Sequence, residues 1–154
     1  MRSQTSTPLS RTGGLVTFGG SLLVVGSMFL PWAHAGPSGD VDFWHLTSVD
    51  AVARDAGAYR LSMALMLLLA AWCALYFVWR SNDSRLAWAF GGFAGAMMLW
   101  GGDIRVSGDL PASALASGET VAAIGVLMIM AGTVYAFAKH VLASNRASVP
   151  GVRG

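Results

Sequence analysis

The sequence predicts an all-α integral membrane fold: a four-helix bundle of two antiparallel transmembrane hairpins with short outer-loop helices. Three observations carry this. Thr12–Gly39, Leu61–Trp79, Leu86–Gly102 and Thr120–Ala138 contain no Asp, Glu, Lys or Arg. At about 1.5 Å rise per residue, a helix of roughly 20 apolar residues crosses the ~30 Å hydrocarbon core of a bilayer. Hydrophobic residues make up 55% of the 154 and charged residues only 12%, against about a quarter charged in a soluble domain. Four spans leave no room for a separate water-soluble core. The basic residues also segregate. With the N-terminus cytoplasmic, Arg2, Arg11, Arg80, Arg85, Lys139, Arg146 and Arg153 fall inside, and only Arg54, Arg60 and Arg105 outside. That split obeys the positive-inside rule and places both termini on the cytoplasmic side. Arginine outnumbers lysine nine to one, with abundant Ala and Gly, which hints at a bacterial genome and so at a bacterial inner membrane. Seven of the eight acids fall outside, with Asp83 alone inside.

Taken in order, residues 1–12 are a polar tail and 13–141 the membrane domain, with spans about 14–32, 59–79, 86–101 and 120–138. Span 1 closes in Phe29-Leu30-Pro31-Trp32, where proline ends a helix and tryptophan favours the headgroup level. Two arginines, the apolar run and Ala33-His34-Ala35 also fit a cleaved signal peptide, but the run exceeds the usual 7–15 residues and Pro31-Trp32 approaches the peptidase awkwardly. The uncleaved span is preferred.

The first outer loop, about Ala33–Ala58, turns at Gly36-Pro37-Ser38-Gly39. Thr47-Ser48-Val49-Asp50 has the form of a capping box and predicts a short helix from about Ser48 to Asp55. Span 2 carries Tyr59 at one end and Tyr76, Phe77 and Trp79 at the other, as interfacial belts. Ser81–Ser84 is a tight turn that makes spans 2 and 3 antiparallel neighbours. In the second outer loop Pro111 stands at a first helical position after Asp109 or Leu110. Span 4 begins after Glu119 and ends at Lys139-His140, in keeping with the helix dipole. Residues 142–154 are a second polar tail.

Several chemistries are disfavoured. No span contains a His, so a membrane cytochrome with in-helix His ligands is not expected. Cys73 is the sole cysteine, which excludes an intramolecular disulfide relay and suits a small packing residue. Proton-coupled transport calls for an intramembrane acid or base, and each formal charge here is expected to reach water or headgroups. The basic residues form no continuous stripe, so nucleic acid is not an expected partner. His34, Asp40, Asp42 and His45 could offer metal ligands, but their spacing matches no metal motif and they read as solvated loop residues. No metal or other cofactor is expected.

Two features remain as candidate sites. Gly91 and Gly95 form a GxxxG pair in span 3, four residues apart on one face, expected to pack another span of the same chain. Gly13, Thr17 and Ser21 form a weaker small-residue stripe on span 1. In Phe43-Trp44-His45-Leu46, Phe43 and Trp44 are candidates for docking on a partner or the membrane interface.

The stretch Gly26-Ser27-Met28-Phe29-Leu30-Pro31-Trp32, followed by Phe43-Trp44 and then Ser48-Val49-Asp50, resembles small four-span membrane proteins frequent in actinobacteria. In these, a leucine-proline-tryptophan element closes the first span, and a loop tryptophan precedes a short acidic helix entering the second. The resemblance covers roughly the first 60 residues and implies topology rather than a reaction. It departs from that pattern where Arg54–Arg60 intervenes before span 2. The function expected is a non-enzymatic accessory or scaffolding subunit of a membrane complex, with the lipid bilayer, another membrane protein or a second copy as partner. A small transport or channel component is the alternative, and metal binding through the first outer loop a more distant one.

Overall fold

The computed structural model describes residues 8–34, 39–54, 56–78, 81–108, 110 and 115–147. The chain is mostly helical. The four long helices are α1 (Pro8–Ser27), α3 (Ala56–Ala74), α4 (Asn82–Gly108) and α5 (Ser117–Ala147), and α2 (Asp50–Ala53) is a single turn. Pro8 opens α1, where its missing N–H costs nothing. The Ser84 N–H donates to Ser81 Oγ at 3.1 Å near the start of α4, satisfying one orphan donor. Glu119 lies in the first turn of α5, where the dipole favours negative charge. Two stretches, Ala56–Phe77 and Ser117–Leu142, are long and apolar enough to cross a bilayer.

Helix α1 packs on α5 and α3, and α4 packs on the same two. The α1–α5 contact is the closest, and glycine makes it so. Gly13 and Gly20 are seven residues apart, as are Gly125 and Gly132, so each pair lies on one helix face. A Cβ added to Gly20 would stand 2.6 Å from the Gly125 carbonyl oxygen, and one added to Gly13 2.9 Å from that of Gly132. Backbone meets backbone in antiparallel register, and dispersion contacts accumulate where no side chain intervenes.

The α3–α4 contact is of another kind, large residues against small. Trp72 lies against Gly91, Leu69 against Gly95 and Ser62 against Gly102. The Trp72 indole N–H also donates to the Trp88 carbonyl at 3.0 Å. On the next face of α4, Gly92 meets Thr133 of α5.

One core cluster runs from Ile129, Leu99 and Met66 through Val24 and Met28 up to Trp32, Phe43 and Leu46. A smaller one, Tyr76, Trp88 and Ala89, closes the other end. Cys73 is fully buried. Outward, Leu15 and Leu22 of α1, Leu61 and Leu68 of α3, Phe90 and Met98 of α4 and Leu127 and Val134 of α5 are exposed. Every long helix thus presents large apolar side chains to its surroundings.

Several expectations require correction. The fold is not purely helical: β1 (Pro31–His34) and β2 (Asp40–Asp42) form a small antiparallel hairpin. The first helix is Pro8–Ser27 rather than 14–32, because the Trp32 indole N–H donates to the Ser27 carbonyl at 2.8 Å and turns the chain there. A 3-10 helix, Phe43–Ser48, precedes α2, whose N-cap is Val49 without a side-chain cap bond. The Thr47–Asp50 capping box therefore does not form. Asp42 caps instead, one element earlier. Helix α4 covers 82–108, past both ends of the expected span 86–101, and α5 runs to Ala147 through part of the expected tail, whereas α3 stops at Ala74, short of 79, with a 3-10 turn to Phe77. Tyr59 is buried rather than interfacial. The expected turn at 36–38, the Asp109–Pro111 helix start and the side chains of Asp55, Trp79, Arg80 and Asp83 lie outside the described residues.

Candidate functional site

The sequence between α1 and α3 folds into a cap over one end of the helices. Pro31 offers no N–H, and Trp32 and Ala33 are buried while His34 is exposed. β1 pairs with β2 through Ala33↔Val41 and His34↔Asp40. On its other side Ala33 bridges Leu115, and the Ala116 N–H donates to the Trp32 carbonyl at 3.2 Å. The first loop is thus tied to the entry of α5. Gly39, at φ 84°, enters β2 in the left-handed region that glycine adopts without steric cost.

Aromatic rings fill the cap. Phe43 is 1% exposed, with its ring 4.6 Å from that of Trp32 and 5.0 Å from that of Tyr59. The Tyr59 hydroxyl donates to the Phe43 carbonyl. Phe43 is therefore a core residue, and the expectation that it docks a partner does not hold. It faces inward because the 3-10 helix places Phe43 and Leu46 on one buried side. Trp44, next along, is 39% exposed. Its ring packs at 5.8 Å against Phe29, itself 67% exposed. Together they make an aromatic surface on a braced support.

The cap also carries two histidine–aspartate pairs. His34 Nδ1 lies 2.6 Å from Asp40 Oδ1 and His45 Nδ1 2.7 Å from Asp42 Oδ1, all solvent-accessible. Among the described residues no three His, Cys, Asp or Glu side chains come together as a metal group. Burial works to raise the Asp42 carboxyl's pKa, but the side-chain and backbone hydrogen bonds from His45 outweigh it and hold it below the ordinary 3.8. A carboxyl depressed in the folded state stabilises above its unfolded pKa and ceases to do so as pH falls through the folded value. Asp42→Asn should therefore flatten the loss of cap order below about pH 4, followed by tryptophan fluorescence. The change will be small, since exposed pairs are screened.

The helix-packing residues Gly91 and Gly95 stand on α4 facing α3, away from the cap. Two residues escaped the sequence reading. Phe29 was legible only as a span boundary, because its pairing with Trp44 depends on the turn after Ser27. Asp103 is only 7% exposed, contrary to the expectation that each charge reaches water. The available signal was an acid just past an apolar run, with Ser107 one turn on along the same face.

Two shallow grooves lie between helices. One, of about 190 Å³, is lined by Ala89, Phe90, Phe93, Thr133, Val134 and Phe137. The other, of about 250 Å³, includes Leu61, Ser62, Leu65, Met98 and Arg105. Both are lined mainly by apolar side chains and neither gathers a set of reacting groups. Compared with known proteins, the chain matches no family model, no curated protein and no solved structure.

Proposed function

We propose that this chain is a four-span protein of a bacterial inner membrane, both termini cytoplasmic, serving as a non-enzymatic accessory or scaffolding subunit. The observation that carries the reading is the Phe29–Trp44 surface. Two large rings are solvent-exposed although the cap beneath them is packed and hydrogen-bonded. Exposed aromatics on a preorganised support are the common anchors of protein interfaces, because little side-chain freedom is lost on binding. The four charge-free stretches, the inward bias of Arg and Lys and the apolar flanks of all four long helices support the membrane topology. The resemblance to small four-span actinobacterial proteins accords with it.

The topology has a direct test. A reporter active only outside the cytoplasm should work when inserted at Ser38 and fail when fused after Gly154; the opposite pattern would overturn the orientation. The docking role is tested by purification at native expression level in mild detergent, followed by mass spectrometry. A stoichiometric membrane partner is expected with the wild type and should be lost with Trp44→Ala, while Leu22→Ala on the exposed flank of α1 should keep it. A lone monomer or homo-oligomer would sink the accessory role and turn attention to solute flux in liposomes.

A further inference from the structure

The groove between α3 and α4 sets one charge at the end of an apolar wall. Residues 58, 61, 62 and 65 line it from α3 and 98, 101, 102 and 105 from α4, a spacing that puts each set on one helix face. Leu69 lies against Gly95 and Ser62 against Gly102. In that antiparallel register Arg105 stands level with Ala58, and Met98 with Leu65 about 10 Å deeper along the helices. Between Met98 and Arg105, α4 contributes only Gly101 and Gly102 to the lining, and a Cβ added to Gly101 would meet nothing within 4 Å. Leu61 and Met98 stand at either side as exposed walls. Arg105 is exposed, three residues past the charge-free run that ends at Gly102. Among the described residues no acid lines the groove. Asp103 is buried and sits about 200° around α4 from Arg105, on the far side of the helix. Arg60 is offset by as much from Ala58 and from Ser62 on α3. Glu119 belongs to α5, which contributes none of the described lining.

We propose that this groove binds one anionic phospholipid, its phosphate on Arg105 and an acyl chain laid along Leu61, Leu65 and Met98. A planar guanidinium grips a phosphate through two parallel N–H···O bonds, and its five donors leave room for contacts within the protein. An ammonium-bearing headgroup would find no lining acid to balance it, so net negative charge is selected. The polarity of the groove runs as a lipid's does in its leaflet, with the head at Arg105, near the level where the charge-free run ends, and the tail toward the bilayer centre. A partner helix seated here would instead bury the guanidinium, at a desolvation cost that only an acid of its own could offset. The assignment rests on the four-span reading, which puts Arg105 at the headgroups of the outer leaflet.

Protein delipidated in mild detergent is titrated with phosphatidylglycerol or phosphatidylcholine, and bound lipids are counted by native mass spectrometry. One saturable phosphatidylglycerol is expected, held more tightly than phosphatidylcholine. Arg105→Gln should weaken it about tenfold, the scale of one charge-assisted contact. Gly101→Leu should abolish it, because leucine fills the open floor of the groove, and the Tm of that variant should match or exceed the wild type's. Arg60→Gln, which removes an exposed arginine from the far side of α3, should leave lipid binding intact. Phosphatidylglycerol binding that survives both Arg105→Gln and Gly101→Leu would overturn the site, as would equal retention of phosphatidylcholine. So would a protein partner or second copy displaced by Gly101→Leu with no lipid bound. Lipid is counted in detergent, so the result is independent of topology. Reporters at Ser38 and Gly154 that reverse the orientation, with lipid binding as expected, would overturn the orientation and the leaflet but not the groove. Reporters that hold, with no lipid bound, would overturn the groove alone.

Discussion

Gly125→Ala and Gly20→Ala should each destabilise the protein by about 1–3 kcal/mol, as overpacking of a close-packed contact does, and the leucine variants by more. At Gly125 the added Cβ would sit 2.7 Å from the Gly20 carbonyl and 2.9 Å from the Val24 nitrogen. These are backbone atoms, and no rotamer change relieves the clash. The two helices must separate along the whole crossing, losing the dispersion contacts that hold them together. Gly132→Ala should behave alike, with the Gly13 carbonyl 2.7 Å from the new atom. Gly26 and Gly101 are the controls: nothing lies within 4 Å of a Cβ at either. There alanine should be neutral or stabilising by up to about 1 kcal/mol, through helix propensity. Thermal or denaturant unfolding in detergent, compared across these variants, reads the difference. Equal effects at Gly125 and Gly101 would sink the account of the crossing.

Trp32→Ala should be the most damaging single change in the cap, at about 3–5 kcal/mol for a buried aromatic truncation. The ring is 1% exposed, packs against Phe43 and Gly118, and its N–H ends α1 at the Ser27 carbonyl. Trp32→Phe separates the two contributions. Much of the packing returns, but the Ser27 carbonyl loses its donor, which costs about 1–3 kcal/mol. The expected order of stability is wild type, then Trp32→Phe, then Trp32→Ala. Limited proteolysis of the 33–58 loop should follow the same order. A phenylalanine variant as weak as the alanine one would shift the weight from packing to the hydrogen bond.

Helical character was legible because it is local. Charge-free runs, Pro31 after an apolar stretch, Ser81 before α4 and Glu119 at the head of α5 are each readable over a few residues. The cap was not legible, because its hydrogen bonds link Trp32 to Ala116 and Tyr59 to Phe43 across the fold. The Phe43-Trp44 dipeptide illustrates the limit. Sequence marks two adjacent aromatics, and only the 3-10 geometry decides that Phe43 turns inward while Trp44 stays out. Glycine spacing was partly legible. Gly91 and Gly95 stood out through GxxxG, yet the tighter contact uses a seven-residue spacing on two helices far apart in sequence. Asp103 was hidden by its position just beyond an apolar run, where an acid normally meets solvent.

The pairing of Gly13 with Gly132 joins α1 to α5, two helices more than a hundred residues apart, of which α1 is made first. Until α5 is made, the glycine face of α1 has no mate, although α1 can already pack on α3 and α3 on α4. Such high contact order makes completion of this fold wait for the synthesis of α5. A chain truncated before α5 would therefore leave the glycine face of α1 uncovered, open to proteolysis and to mispairing with the α5 of a neighbouring molecule.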